Sequence, residues 1–216
     1  MLLNFYNEFT NYLLKRICIP RIGTLIVAIF LLELYLSIYV SVKEVTTHFF
    51  LIVLLVVTFR IWDDFSDRKY DYKFHPERLP GAGNPQNISF YKMIIMGLLF
   101  FNTLLILLLL NTMKFVIFGA MLLLFSVIYL KEKWSFHSRL LRNQIILLKY
   151  PAILYLGSQS TETYRLIISS LLVYLFISWY DISSATHRST SNRTWFFTSI
   201  LLIFELSKNF DHGRIL

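Results

Sequence analysis

The chain has 216 residues, of which 56% are hydrophobic and only 16% are charged, whereas about a quarter of the residues in a soluble domain are usually charged. The formal charge of +8 is divided among short segments between long apolar runs, which argues against a nucleic-acid-binding protein. The single cysteine, Cys18, belongs to no CxxC or His/Cys cluster, which excludes disulfide frameworks and the usual zinc sites. This composition is typical of a protein whose main solvent is the lipid bilayer.

Apolar runs near the length that crosses a bilayer, about 20 residues, predict seven transmembrane helices. The first run ends without a small-residue cleavage site, so we expect a retained helix and not a signal peptide. In chain order the predicted spans are 22–42, 46–62, 92–111, 114–130, 144–157, 163–180 and 194–207. No repeat or linker divides them. We therefore predict an all-α, polytopic helical bundle that forms a single transmembrane domain over residues 1–216.

The distribution of positive charge predicts the orientation of this bundle. With the N-terminus inside, sixteen Lys and Arg residues lie on the cytoplasmic side and five on the other, as the positive-inside rule requires. The prediction is an integral, multi-pass membrane protein with a cytoplasmic N-terminus. Three long loops, 63–91, 131–143 and 181–193, are then cytoplasmic, so we expect any polar site on that side.

The segment after the second predicted span contains four of the six aspartates of the chain, between residues 63 and 71. At about 100° per residue, Asp64, Asp67 and Asp71 share one narrow arc of a helix with Arg60, and Asp63 sits on the neighbouring edge. Three carboxylates at the mouth of a membrane helix repel one another unless a cation lies among them. Carboxylate oxygens suit Mg²⁺, so the pattern predicts an Mg²⁺ site; a solvated acidic turn that caps the helix is the alternative.

This segment, Asp63-Asp-Phe-Ser-Asp-Arg-Lys-Tyr-Asp71, resembles the first motif of the UbiA superfamily of intramembrane prenyltransferases, Asn-Asp-x-x-Asp-x-x-x-Asp. Downstream, His75-Pro-Glu-Arg-Leu-Pro-Gly81 is similar to the family's His/Asn-Pro-x-Arg-Pro segment. Arg16-Ile-Cys-Ile-Pro20 resembles the Arg-x-x-x-Pro at the start of its first span. Tyr129-Leu-Lys-Glu-Lys133 matches the tyrosine-to-lysine spacing at the end of its fourth span. The resemblance covers roughly residues 10–185.

The resemblance implies a UbiA-like bundle and an Mg²⁺-dependent enzyme. That enzyme would transfer a prenyl group from a prenyl diphosphate to a lipophilic acceptor within the membrane. It implies Mg²⁺ ligands at Asp64, Asp67, Asp71 and Asp181, which with Lys133 are the implied catalytic residues. The implied diphosphate-binding residues are Arg60, Arg68, Lys73, Arg78, Tyr129, Arg142 and Arg188. Each basic residue among these also fits an ordinary positive-inside loop.

Two features depart from the family pattern. The family's second motif is acidic at several positions, whereas here only Asp181 is acidic and is followed by Ala185 and Arg188. The chain also has fewer predicted spans than the family, which favours a protein partner that supplies the missing helices. A non-catalytic isoprenoid- or lipid-binding subunit, a partner-dependent enzyme and a membrane terpene cyclase therefore stay open as alternatives.

Three ionisable residues lie inside predicted spans: Glu33, Lys149 and Glu205. Charge in lipid is costly, so such residues are functional candidates. The alternative is that they face a polar cavity or extend to the membrane surface, as Lys149 could do from its position near a helix end.

Overall fold

The computed structural model of the protein describes residues 9–37, 41–68, 85–130, 144–158 and 163–185, together with residues 7 and 142. All regular structure within these ranges is helical, with no strand, which confirms the predicted all-α class. We number the helices α1 (Phe9–Ile17), α2 (Pro20–Leu36), α3 (Val42–Ser66), α4 (Pro85–Leu109), α5 (Thr112–Leu130), α6 (Lys149–Gly157) and α7 (Thr163–Ala185).

Contacts group the described residues into two compact units. The first unit takes the described parts of Met1–Leu31 and Tyr39–Lys133, and so contains α1, most of α2, and α3 to α5. The second takes those of Leu32–Ile38 and Trp134–Leu216, with α6 and α7. The division between the two units therefore falls inside α2.

Three helices in the described ranges are long and apolar enough to cross a bilayer: Val42–Ser66, Asn87–Leu109 and Thr112–Tyr129. They correspond to the second, third and fourth predicted spans, which are confirmed as helices of membrane-spanning length. In the first unit α3 packs against both α4 and α5. Large apolar side chains such as Phe100 of α4 and Leu123 of α5 are exposed, which suits helices that face lipid tails.

A polar contact joins two of these long helices inside their apolar surroundings. The Asn102 side-chain amide of α4 donates to the Thr58 hydroxyl of α3 at 2.8 Å, and both side chains are buried. The same amide donates to the Leu98 carbonyl at 2.8 Å. Hydrogen bonds of this kind hold membrane helices together where the hydrophobic effect gives no driving force.

The first predicted span, 22–42, is wrong in its bounds. α2 begins with Pro20, a residue suited to the first helical turn, and ends at Leu36 after 17 residues, which falls short of the roughly 20 that cross a bilayer. Phe9–Ile17 and Ile22–Leu36 reach the length and hydropathy of a span only as a pair, bent by 58°.

Ser41 and Val42, which the prediction placed in the first span, belong to the start of α3. Ser41 has extended backbone angles and caps α3, since its hydroxyl accepts a hydrogen bond from the Glu44 N–H at 3.3 Å. Serine stabilises a helix start in this way. The chain therefore leaves helical geometry before α3 begins at Val42.

In the second unit α6 and α7 pack against each other, and the Tyr174 hydroxyl donates to Gln144 at 3.3 Å. The fifth and sixth predicted spans appear here as shorter apolar helices, Gln144–Gly157 and Tyr164–Ser178. The seventh predicted span, 194–207, lies outside the described residues. The described ranges thus contain three helices of spanning length, or four if the bent pair is one span.

Two helices extend into segments that were predicted as loops. α3 continues to Ser66 and α4 begins at Pro85, so the predicted loop 63–91 is helical at both ends. α7 continues to Ala185, into the predicted loop 181–193. No proline or glycine interrupts residues 63–66, and the Asp67 N–H donates to the Asp63 carbonyl at 3.0 Å, so α3 continues beyond its apolar part.

Candidate functional site

The C-terminal end of α3 gathers charged side chains of both signs. Arg60, Asp63 and Asp64 lie in its last two turns, Asp67 is its C-cap residue, and Arg68 follows. Asp64 is buried, whereas the other four are partly exposed. A buried carboxylate is costly unless it is paired and hydrogen-bonded, so the partners of Asp64 define this site.

Both carboxylate oxygens of Asp64 accept hydrogen bonds or ion pairs. Oδ1 lies 2.9 Å from Arg16 Nη2 and 3.3 Å from Arg60 Nη2. Oδ2 accepts from Arg16 Nε at 3.2 Å and from the Tyr12 hydroxyl at 3.1 Å. An ionised carboxylate has about four lone-pair sites, so these contacts occupy it fully. We call Tyr12, Arg16, Arg60 and Asp64 the Asp64 cluster.

Apolar packing brings α1 to the end of α3. Tyr12 is buried in a group of side chains with Phe65 of α3 and with Tyr91 and Ile95 of α4. The rings of Tyr12 and Tyr91 meet edge to face, with centroids 6.0 Å apart, an arrangement that favours aromatic pairs. Arg16 is four residues after Tyr12, so one face of α1 carries both groups that reach Asp64.

Aromatic residues of α3 and α5 line a second side of the α3 end. Trp62 of α3 and Tyr129 of α5 have ring centroids 4.9 Å apart, and those of Phe59 and Phe125 are 5.5 Å apart. The Tyr129 hydroxyl donates a hydrogen bond to Asp63 Oδ1. We call Phe59, Trp62, Phe125 and Tyr129 the aromatic wall. Tyr129, a predicted diphosphate-binding residue, therefore lies beside the aspartate motif.

Asp67 and Arg68 end the helix. The Asp67 N–H donates to the carbonyls of Asp63 and Phe65. Arg68 turns back onto α3: its Nη1 donates to the Phe65 carbonyl at 3.0 Å, and its guanidinium lies 4.3 Å from the centre of the Phe65 ring. A cation at this position balances the partial negative charge of a helix C-terminus. Arg68 therefore has a helix-capping contact, and its predicted contact with diphosphate stays a prediction.

The described residues do not by themselves assemble the predicted Mg²⁺ site. Among them, no three His, Cys, Asp or Glu side chains form a group that could hold a metal ion. Asp64 would have to exchange one of its present contacts for a metal. Asp71, its predicted co-ligand, lies outside the described residues. The carboxylates of the motif have the donor chemistry that Mg²⁺ prefers, but the described part of the site does not bring three of them together.

Of the other predicted site residues, the structure describes only some. Asp181 lies in α7, which continues to Ala185, and not in a loop as predicted. The remaining predicted residues that lie outside the described ranges are Lys73, Arg78, Lys133 and Arg188.

The second unit holds buried charged residues of its own. Arg142, a predicted diphosphate-binding residue, is buried in this unit. Lys149 is enclosed by protein, with its ammonium 5.1 Å from the centre of the Tyr150 ring. Glu33 is fully buried, and a Cβ at Gly157 would lie 3.2 Å from its Oε1. These ionisable side chains are buried against protein, as such groups within membrane helices usually are.

The sequence did not reveal the role of α1 in the site. The sequence pattern does not mark Tyr12, and it marks Arg16 as a site candidate only through the resemblance of Arg16–Pro20 to a family segment. Their spacing of four residues was the available signal. Their partner is 52 and 48 residues away, and a separation of that size appears only when the helices are packed.

Comparison with protein-family models, curated proteins and solved structures gave no match. The relation to the UbiA superfamily is therefore an inference from the motif residues alone.

Proposed function

We propose that the protein is a membrane-embedded transferase that binds a prenyl diphosphate at the C-terminal end of α3 and transfers its prenyl group to a lipophilic acceptor. One observation carries the proposal: a buried carboxylate with two guanidinium groups lies at the end of a helix of membrane-spanning length. Ionisable groups are rarely retained at such a position without a function. The motif that contains this carboxylate resembles that of an intramembrane prenyltransferase.

The charged half of the site suits a diphosphate. Arg16 and Arg60 meet at Asp64, and Arg68 lies within one turn of Asp64 along the chain. Guanidinium groups bind phosphoryl oxygens bidentately. In the proposed reaction, the bond between the prenyl carbon and the diphosphate oxygen breaks, and its electron pair leaves with the diphosphate. Cationic side chains stabilise the negative charge of this leaving group.

The apolar half of the site suits the prenyl chain. The aromatic wall lies between α3 and α5 and reaches Asp63 through Tyr129. Trp62 and Tyr129 are the partly exposed members of the wall, whereas Phe59 and Phe125 are buried. A prenyl cation released beside Trp62 and Tyr129 would meet aromatic faces, which attract cations. A nucleophilic atom of the acceptor then forms the new bond to the prenyl carbon and loses its proton to solvent.

Mg²⁺ is the expected cofactor and would supply positive charge to the diphosphate when bound. Asp67 and Asp71, with Asp64 or Asp181, are the ligands that the motif implies. The roles proposed for the arginines and the aromatic wall rest on contacts among the described residues. A UbiA-like arrangement of further helices, with a partner chain that supplies some of them, is part of the same proposal.

A second candidate is a non-catalytic subunit that binds an isoprenoid diphosphate or another lipid. The full occupation of Asp64 by protein groups favours it, because a carboxylate with four contacts is satisfied without a metal. The incomplete second motif, in which Asp181 is the only acidic residue, points in the same direction.

Diphosphate release by the purified protein in phosphatidylcholine nanodiscs separates these candidates. The protein is incubated with Mg²⁺ and prenyl diphosphates of several lengths, with and without a lipid extract as the source of acceptor. Release that requires the extract supports the transferase. Release without the extract indicates a terpene cyclase or a hydrolase, and saturable binding without release indicates the non-catalytic subunit. Chelation of Mg²⁺ with EDTA should abolish release by the transferase.

A matched pair of variants on α3 tests where the chemistry takes place. Asp67→Asn changes the C-cap residue at the proposed site, whereas Glu44→Gln changes the exposed first turn at the opposite end of the same helix. We expect Asp67→Asn to lower Mg²⁺-dependent diphosphate release by roughly 10²-fold, because it removes a proposed ligand of the metal ion that offsets the charge of the leaving group. Glu44→Gln should leave release unchanged. Equal loss in both variants would place the chemistry elsewhere.

A further inference from the structure

One edge of the Arg16 guanidinium group is hydrogen-bonded to Asp64, and the other edge makes no hydrogen bond with the described residues. Its Nε and Nη2 atoms donate to the two oxygens of Asp64, while 20% of the side chain is exposed. In the part of the chain that the structure describes, its Nη1 donates to no protein group. An arginine side chain has five N–H donors in a rigid plane, so the outer edge keeps donors for a ligand.

We infer that Arg16 binds a phosphoryl oxygen of a diphosphate ligand and that Asp64 and Tyr12 are the residues that position it. This inference rests on the proposed function and adds to the site a residue of α1. Binding is favoured because Asp64 already fixes the plane of the guanidinium. Less side-chain entropy is therefore lost when the ligand arrives.

The Tyr12 hydroxyl makes the position of Asp64 firmer. It donates to Oδ2, the oxygen that also accepts from Arg16 Nε, and the tyrosine ring is fully buried against α4. The carboxylate is therefore held by a rigid side chain on one side and by arginines on the other. Arg16 in turn presents its outer edge in one orientation, as bidentate recognition of a phosphoryl group requires.

The competing explanation is that Arg16 only neutralises Asp64 and touches no ligand. The two explanations differ in the Asp64→Asn background, where the charge that Arg16 neutralises is absent. Arg16→Gln added to Asp64→Asn leaves no unpaired carboxylate buried, which protects the fold. If Arg16 contacts the ligand, this second substitution still weakens diphosphate binding; if Arg16 is only a counter-ion, it does not.

The test is equilibrium binding of radiolabelled farnesyl thiodiphosphate, which resists cleavage, to the full chain in phosphatidylcholine nanodiscs with EDTA. Chelation removes any contribution of Asp64 as a metal ligand. We expect Arg16→Gln to weaken binding about 10-fold or more in the wild-type background, as expected for a hydrogen bond to a charged group. In the Asp64→Asn background it should still weaken binding, but by a smaller factor, because Asp64 no longer positions Arg16. Arg16→Lys should recover part of the affinity, since lysine keeps the charge but not the planar fork. Farnesol, which lacks phosphate, should bind all variants alike.

Lys15→Gln is the matched control, because Lys15 is the exposed neighbour of Arg16 on the same helix and its substitution removes the same charge. Binding by wild type, Lys15→Gln and Arg16→Gln with equal affinity would overturn the inference and leave the proposed function intact. Failure of the wild type to bind the analogue, with Mg²⁺ as well as with EDTA, would overturn both. Competition by phosphatidic acid but not by inorganic diphosphate would assign the site to a lipid headgroup and also overturn the inference.

Discussion

Replacement of Asp64 by asparagine should destabilise the protein strongly. Asp64 is the only carboxylate in the cluster, and the substitution leaves the guanidinium groups of Arg16 and Arg60 beside a neutral amide. The amide also presents a donor where the carboxylate accepted hydrogen bonds. The fold then has to accommodate like charges, at 2.9 and 3.3 Å from the former carboxylate, with no anion between them.

The exposure of the partners determines the size of the effect. The loss of one partner from a buried ion pair costs about 3–5 kcal/mol. The Asp64 side chain is 6% exposed, but those of Arg16 and Arg60 are 20% and 27% exposed, so water partly solvates the guanidinium groups. We therefore expect the lower end of the range, about 3 kcal/mol. Tyr12→Phe removes one hydrogen bond to a charged group and should cost about 1.5 kcal/mol.

The unfolding equilibrium of the purified protein, measured by tryptophan fluorescence in mixed micelles of a mild detergent and sodium dodecyl sulfate, gives these free energies. Arg16→Gln combined with Asp64→Asn should be more stable than the sum of the two single variants predicts, because neither charge is then left alone. Glu44→Gln on the exposed start of α3 is the control and should change little. A loss below about 1 kcal/mol for Asp64→Asn, or strict additivity in the double variant, would refute the view that these charges stabilise one another.

Two further predictions concern helix contacts elsewhere in the chain. Gly157→Ala should lower the thermal unfolding temperature in detergent, because its Cβ would lie 3.2 Å from Oε1 of the buried Glu33. The control is Gly97→Ala, whose Cβ meets no atom within 4 Å and which should be neutral or stabilising. Equal effects of the two substitutions would contradict the reasoning. Thr58→Val removes the hydroxyl that accepts a hydrogen bond from Asn102 at 2.8 Å. It should lower the free energy of unfolding by about 0.6–1.7 kcal/mol in the same SDS unfolding assay, and unchanged stability would contradict this prediction.

The sequence predicted those helices that can be recognised from a single apolar run. Apolar runs correctly indicated α3, α4 and α5, since a helix in lipid satisfies its own backbone hydrogen bonds and needs no other information. Helix ends were predicted less well. The second predicted span ends at residue 62, where polar residues begin, but α3 continues to Ser66. A helix ends where its backbone hydrogen bonds end, and this point can lie beyond the end of the apolar run.

The same distinction applies to the site. Arg60 and Asp64 were predicted to share one arc of a helix, and they form an ion pair at 3.3 Å, because i and i+4 positions adjoin by helix geometry alone. Tyr12 and Arg16 contact the same carboxylate from another helix, and no local rule predicts that. The packing of Tyr12 against Tyr91 and Phe65 brings α1 to this carboxylate.

The wide turn over Leu13–Ile17 has a consequence for the register of α1. Residues in this segment are π-helical, with the Cys18 N–H donating to the Leu13 carbonyl at 2.9 Å, five residues back. Such a turn amounts to one extra residue inside an α-helix, and it is common at functional sites.

The extra residue shifts the side chains after the turn by one position relative to those before it. Tyr12 precedes the turn and Arg16 lies within it, and residues four apart share a face in a regular helix as well. The turn therefore leaves this pair on one face of α1 and changes instead the register between Tyr12 and the residues that follow the turn, beginning with Cys18.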